Sequence, residues 1–120
     1  MAIGFGSPAG DSGVQRLDLN EILVRHPQAT FLMRARGEAM RELGIDTGDL
    51  LLVDRALAPA HGHVVIAVVG DELVCRRLCR LGASLRLQAT QPGVPDIVAK
   101  DGAELQLWGV VTQVVKAMPV

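Results

Sequence analysis

Aromatic residues are nearly absent from this chain of 120 residues, which has two Phe, one Trp and no Tyr. Platforms for single-stranded nucleic acid stack bases on several rings, so that class is excluded. A basic surplus is also missing: twelve Lys and Arg stand against thirteen Asp and Glu, for a net charge of −1. Proteins that grip a phosphate backbone carry excess positive charge, so direct DNA binding is not expected. No apolar run approaches the roughly 20 residues that cross a bilayer, and no signal-peptide pattern opens the chain, so no membrane partner is expected. Cysteine is scarce. Cys75 and Cys79 are the only two, which fits reduced thiols and a cytoplasmic location. Neither a cofactor motif nor a convincing metal-ligand spacing is present.

What the sequence does contain is apolar residues, at 49%, enough for one core in a single domain. Residues 1–13, "MAIGFGSPAGDSG", hold four Gly, two Ser and one Pro and read as a flexible N-terminal arm. The remainder, 14–120, reads as one domain. In "LDLNEILVRHP", Asp18 can cap a short helix, Leu19, Ile22 and Leu23 share a face, and Pro27 ends it. From residue 30 onward the pattern is that of strands: "TFLMRAR", "DLLLVDR", "HVVIAVV", "ELVCRRLCR", "SLRLQA", "DIVAK" and "LQLWGVVTQVVKA". "HVVIAVV" is apolar on both faces, as a central strand is. Gly70-Asp71 makes a tight reversal, and Gly109 marks a bend or bulge in the last strand. The expected fold is mainly β: about seven strands in a sheet or partly closed barrel, with one short N-terminal helix.

One loop has the outline of a catalytic site. Acyl transfer needs a nucleophile on a constrained turn, a base within reach and backbone donors for an oxyanion. In "RARGEAMRELGIDTGDLLLVD", the turn Gly37-Glu38-Ala39-Met40 could supply the geometry and the donors. Residue 39 would be the nucleophile, and it is alanine. By itself such a tetrapeptide is an ordinary turn.

The order of segments carries more than the turn does. "QRLDLNEILVRHPQATF", "GEAM", "GIDTGDLLLVD", "HGHVVIAVV", "ELVCRRL" and "WGVVTQVVKAM" together resemble the UmuD family, relatives of the LexA-type serine–lysine self-cleaving peptidases. The resemblance runs from near Gly4 to Met118. It implies a LexA/UmuD C-terminal-like domain in which Ala39 holds the nucleophile's place and Arg76 the base's place. It also implies that Gly37, Glu38 and Met40 form the surrounding oxyanion loop. Alanine ends at a methyl group, and arginine stays protonated, so it cannot act as a general base. A laboratory knockout needs only one change, so the double loss favours natural degeneration. The family's self-cleavage point falls at Ile3-Gly4, so the chain resembles the already processed form.

Other candidates have plainer explanations. Cys75 and Cys79 with His61 and His63 could suggest zinc, but a Cys-x3-Cys pair on a strand lies about 13 Å apart. Packed thiols and turn histidines are expected instead, and a Cys75–His63 nucleophilic pair lacks an orienting third group. Arg76, Arg77, Arg80 and Arg86 read as a solvated strand face rather than an anion patch. If Arg76 turns into the old cleft it needs a partner, and Glu38 is the first candidate. Met33, Met40 and Met118 with Phe31, Leu32 and Leu43 read as core or interface filler. The apolar last strand is an association surface if its edge or face is open.

The resemblance implies a non-catalytic accessory subunit of an error-prone Y-family (UmuC-like) translesion DNA polymerase in the SOS response to DNA damage. In that role the chain would be a homodimer with the polymerase and a RecA–single-stranded DNA filament as partners. Two alternatives stand beside it. One is a serine–lysine autopeptidase whose dyad has been replaced. The other is a LexA-like repressor dimerisation domain, weaker because no winged helix is visible.

Overall fold

The computed structural model describes residues 16–98 and 105–120. The expected arm at 1–13 lies outside them. Helix α1 spans Leu19–Leu23, and the Asp18 carboxylate accepts from the Asn20 N–H at 3.1 Å, as an N-cap should. A 3-10 turn at Pro27–Ala29 then leads into the sheet.

Seven strands follow: β1 (Thr30–Arg34), β2 (Leu50–Asp54), β3 (Val64–Val69), β4 (Glu72–Leu81), β5 (Ser84–Gln88), β6 (Ile97–Val98) and β7 (Leu105–Val115). They form one antiparallel sheet in the order β1-β2-β7-β3-β4-β5-β6. The outermost strands β1 and β6 do not pair, so the sheet is open. Of the two shapes expected from the sequence, the sheet is the one found. Strand β3 sits at its centre, as its apolar run predicts. Gly70, at a φ of 60°, turns β3 back into β4, with Val69 opposite Glu72.

Alternation along β3 gives the sheet a core on each face. Ile66 packs with Met40, Ile45, Leu51 and Val53 on one side. Val65 and Ala67 pack with Leu78, Leu87 and Val110 on the other. The first core is roofed by the segment between β1 and β2, and so the candidate turn is anchored by its own Met40, which is 3% exposed.

Strand β7 holds the two halves of the sheet together. Its C-terminal part, Val110–Val115, pairs with β2, and its N-terminal part, Leu105–Val110, pairs with β3. Each partnership contains a register shift, which bends the strand. Gly109 sits at the crossing. A Cβ there would lie 2.7 Å from the buried Val53 Cγ1, so the Val53 side chain stands where a side chain of residue 109 would go. The expected bend at Gly109 is present, and close approach is its cause. The surface over the bulge is sealed by Arg55, whose Nε donates to the Trp108 carbonyl at 2.9 Å and whose guanidinium lies 4.3 Å from the Trp108 ring centroid.

The sequence reading left open whether the edge of the last strand is free. The answer is divided. As an inner strand β7 has no continuous free edge, but beyond Val110 its β3 side carries no strand partner among the described residues.

A buried carboxylate pins the N-terminal segment to the sheet. Asp54, at the end of β2, is 1% exposed. It accepts from His26 Nδ1–H at 2.6 Å and from the Ala56 and Leu57 N–H groups at 2.8 and 3.2 Å. Burial pushes its carboxyl up, but the bonds from His26, Ala56 and Leu57 outweigh that and hold it below the ordinary carboxylate range.

Two outcomes follow for stability. Gly109→Ala should lower the unfolding free energy by about 1–3 kcal/mol in a denaturant titration, because a buried β-branched side chain has to give way. A carboxyl depressed in the fold stabilises it at every pH above the unfolded-chain value of about 4 and stops doing so as pH falls through the folded value. Thermal midpoints should therefore drop below about pH 4, and Asp54→Asn should flatten part of that drop.

Candidate functional site

The turn Gly37–Met40 is held by backbone contacts that do not depend on the side chain at 39. Gly37 has a φ of 87°, a conformation natural to glycine, and its carbonyl accepts from Thr47 Oγ1 at 3.0 Å. The Glu38 carbonyl accepts from the Arg41 N–H, and the Met40 carbonyl from the Leu43 and Ile45 N–H groups. The Ala39 carbonyl accepts twice, from the Thr90 and Gln91 N–H groups at 2.8 and 3.0 Å. No local sequence signal marks Thr90 and Gln91 as supports for this turn, because they arrive from beyond β5.

Behind the turn, a carboxylate–ammonium cluster fixes the segment leading to β2. Lys116, just past β7, donates to Asp46 Oδ2 at 2.9 Å and to Asp49 Oδ2 at 2.5 Å. Asp49 also accepts from the Asp46 N–H at 2.8 Å. The Lys116 ammonium, followed by the Asp46 N–H, holds the Asp49 carboxyl below its usual range. Asp49 in turn pushes Lys116 up. This pairing across 67 residues also went unseen in the sequence.

Ala39 and Arg76 line one cavity of about 200 Å³, together with Arg36, Gly37, Met40 and Cys75. The residues singled out as nucleophile place and base place are therefore neighbours of a single cleft. Glu38 is not part of its wall. It stands outside, 3.7 Å from the Arg41 guanidinium. The expected Arg76–Glu38 pairing is not formed: Arg76 Nη1 donates to the Cys75 carbonyl at 2.8 Å. A guanidinium can reach the carbonyl of its own strand neighbour, whereas Glu38 finds a partner at helical spacing within its own loop. Arg76 Nε is buried without a partner among the described residues. Ile3 and Gly4 lie outside the described residues.

The cleft offers donors and no base. Among the described residues, no protein acceptor takes the Ala39 or the Met40 N–H. Two arginines in the wall of one cleft favour negative charge there. Alanine at 39 cannot attack, and Arg76 in the same wall carries a fixed positive charge.

The remaining candidates separate. His61 Nδ1 accepts from the Arg80 N–H at 2.9 Å and His63 Nδ1 from the Ala60 N–H at 3.0 Å, so both histidines act as turn caps. Among the described residues no three His, Cys, Asp or Glu side chains gather as a metal site. Cys75 and Cys79 are free thiols, and burial pushes Cys75 up to about 11. The arginine cluster is divided by register: Arg77 and Arg86 stand on one face of the sheet and Arg76 and Arg80 on the other. Arg86 pairs with Asp96 at 3.4 Å.

The Cys75 value has a direct readout. At pH 8 its thiolate fraction should be about a hundredfold below that of an ordinary thiol. Mass-resolved alkylation with iodoacetamide should show Cys75 reacting more slowly in that proportion, with Cys75→Ser identifying the slow phase.

Comparison with known proteins bears on the family of the chain. Residues 1–112 match the Peptidase S24-like family. Protein SamA of Salmonella typhimurium is 42% identical over 109 residues, covering 91% of this chain and 75% of SamA. Protein MucA of Escherichia coli is 34% identical over 120 residues, all of this chain and 82% of MucA. The LexA repressor of Cupriavidus taiwanensis is 38% identical over 87 residues, 72% of this chain and 40% of the repressor. With a family match along nearly the whole chain and relatives at these identities, the chain belongs to the Peptidase S24-like family and has a fold of the UmuD/LexA type.

Proposed function

We propose that this chain is a non-catalytic, UmuD-like accessory subunit of an error-prone Y-family translesion DNA polymerase, acting in the cytoplasm during the SOS response. Ala39 and Arg76 are then a degenerate nucleophile and base, and Gly37, Glu38 and Met40 the remnant of the oxyanion loop. The observation that carries this reading is the cleft itself: the side chains at the two places are a methyl group and a guanidinium. Neither can move the proton that acyl transfer requires. With chemistry absent, what acts is the surface. No helix among the described residues is long and apolar enough to cross a membrane.

As a UmuD-like subunit the chain works as a homodimer, with the polymerase and a RecA–single-stranded DNA filament as partners. Two features support self-association. Among the described residues, Val111–Val115 have no strand partner on the β3 side of β7. Val114, Val115 and Met118 near the same end are exposed, as are Phe31 and Leu32 on β1. An open strand edge bordered by apolar side chains is a surface that pairs.

The test is co-purification of the tagged chain with the Y-family polymerase of its own organism. A stable complex eluting together in gel filtration, containing two copies of this chain, is the expected result. Absence of binding where an active relative binds under the same conditions would overturn the reading.

A further inference from the structure

The chain has three histidines, His26, His61 and His63, and their hydrogen-bond partners fix the rings in opposite senses. In a neutral imidazole one nitrogen carries the proton and the other a lone pair, and the partner of one settles the state of the other. His61 Nδ1 faces the Arg80 N–H and His63 Nδ1 the Ala60 N–H, and a backbone N–H only donates. Both rings therefore use their lone pair inside the fold and keep the proton on Nε2. His26 is the reverse. Its Nδ1 lies 2.6 Å from Asp54 Oδ2. Burial raises that carboxyl, but its bonds from His26, Ala56 and Leu57 lower it further and keep it ionised. A carboxylate only accepts, so the His26 proton sits on Nδ1 and the lone pair on Nε2.

The surroundings of His26 favour attack through that lone pair. Its side chain is 42% exposed, and with Nδ1 turned to a buried carboxylate the exposure belongs to the far side of the ring. The backbone is held as well, since the His26 carbonyl accepts from the Ala29 N–H at 3.0 Å and from Thr30 Oγ1 at 2.8 Å. A carboxylate behind an imidazole fixes its tautomer, raises the basicity of the far nitrogen and stabilises the cation formed when that nitrogen takes an electrophile. Asp54 is 1% exposed, so water screens this interaction little. Arg25, the preceding residue, lines a cavity of about 370 Å³ together with Asp54, His63 and Thr112. A guanidinium there draws an anionic reagent in preference to a neutral one. The same lone pair could serve a metal, but among the described residues no further ligands gather around it.

We propose that His26 is a modification site that takes a phosphoryl group at Nε2 from small phosphoryl donors with a good leaving group, such as acyl phosphates and phosphoramidates. The Nε2 lone pair forms the N–P bond. The bond from phosphorus to the leaving group breaks, and its electron pair departs with that group, which takes any proton it needs from water. The ring becomes an imidazolium that keeps its Nδ1–H on Asp54, so the carboxylate balances the new positive charge. Asp54 touches only the ring and is a positioning residue.

The full chain is treated with potassium phosphoramidate at neutral pH and followed by 31P NMR and by peptide mapping under conditions that preserve phosphohistidine. One phosphoryl group should appear, on His26 at Nε2, at least about tenfold faster than on His61 or His63. In urea the three histidines should react alike, because the selectivity comes from their folded partners. Asp54→Asn should slow the His26 reaction at least about tenfold. His61 and His63 staying slow in that variant reports that its fold persists. If they speed up, the variant has unfolded and the selectivity of the unaltered chain decides. Comparable rates at the three histidines of the folded chain would overturn the inference. So would phosphate on a carboxylate or thiol instead, product at Nδ1, or a His26 rate no higher than in urea. An unchanged His26 rate in a folded Asp54→Asn chain would overturn the part given to Asp54.

Discussion

The sheet depends on one junction, where β7 passes from β2 to β3 and the Val53 side chain lies over Gly109. Among the described strands, β7 alone touches both halves of the sheet, β1-β2 on one side and β3 to β6 on the other. To serve both it shifts register twice and lets the Val53 side chain occupy the space above Gly109. Both walls of the candidate cleft hang from this junction. Strand β2 carries the core residues on which the Gly37–Met40 turn rests, and β3 positions β4 with Arg76. Without close approach at residue 109, the two walls of the cleft would belong to separate halves.

The cleft shows a division of labour between backbone and side chain. Its shape comes from carbonyls and N–H groups: Thr90 and Gln91 on Ala39, Thr47 on Gly37, Ile45 on Met40. The Lys116 cluster ties the same segment to the end of β7. None of these contacts uses the side chain at 39 or 76. What the side chains decide is the sign of charge the cleft accepts, and here both arginines in its wall favour an anion.

Much of this was legible in the sequence, for physical reasons that differ by element. The strands announce themselves because alternation and glycine turns are local, and β3 reads as central because a strand buried on both faces has no polar side. The Gly70-Asp71 reversal and the bend at Gly109 were visible for the same reason. Ala39 and Arg76 came together because an ordered set of segments resembles a family, not because anything near either residue points to the other. Non-local matters stayed hidden. Whether the sheet closes depends on the distance between β1 and β6, which no residue encodes locally. The Arg76–Glu38 pairing failed because a long cation has nearer acceptors than the sequence suggests. Thr90, Gln91 and the pairing of Lys116 with Asp46 and Asp49 are tertiary contacts with no local mark.

The backbone-held turn has an evolutionary consequence. Because the loop keeps its form through main-chain bonds and a buried methionine, a change of side chain at 39 costs the domain little in architecture. The scaffold behaves as a mould that outlives the part once cast in it. The side chains at 39 and 76 can therefore vary while the turn and the strand that carry them keep their places. A fold built in this way separates the shape of its cleft from the chemistry of the side chains that line it.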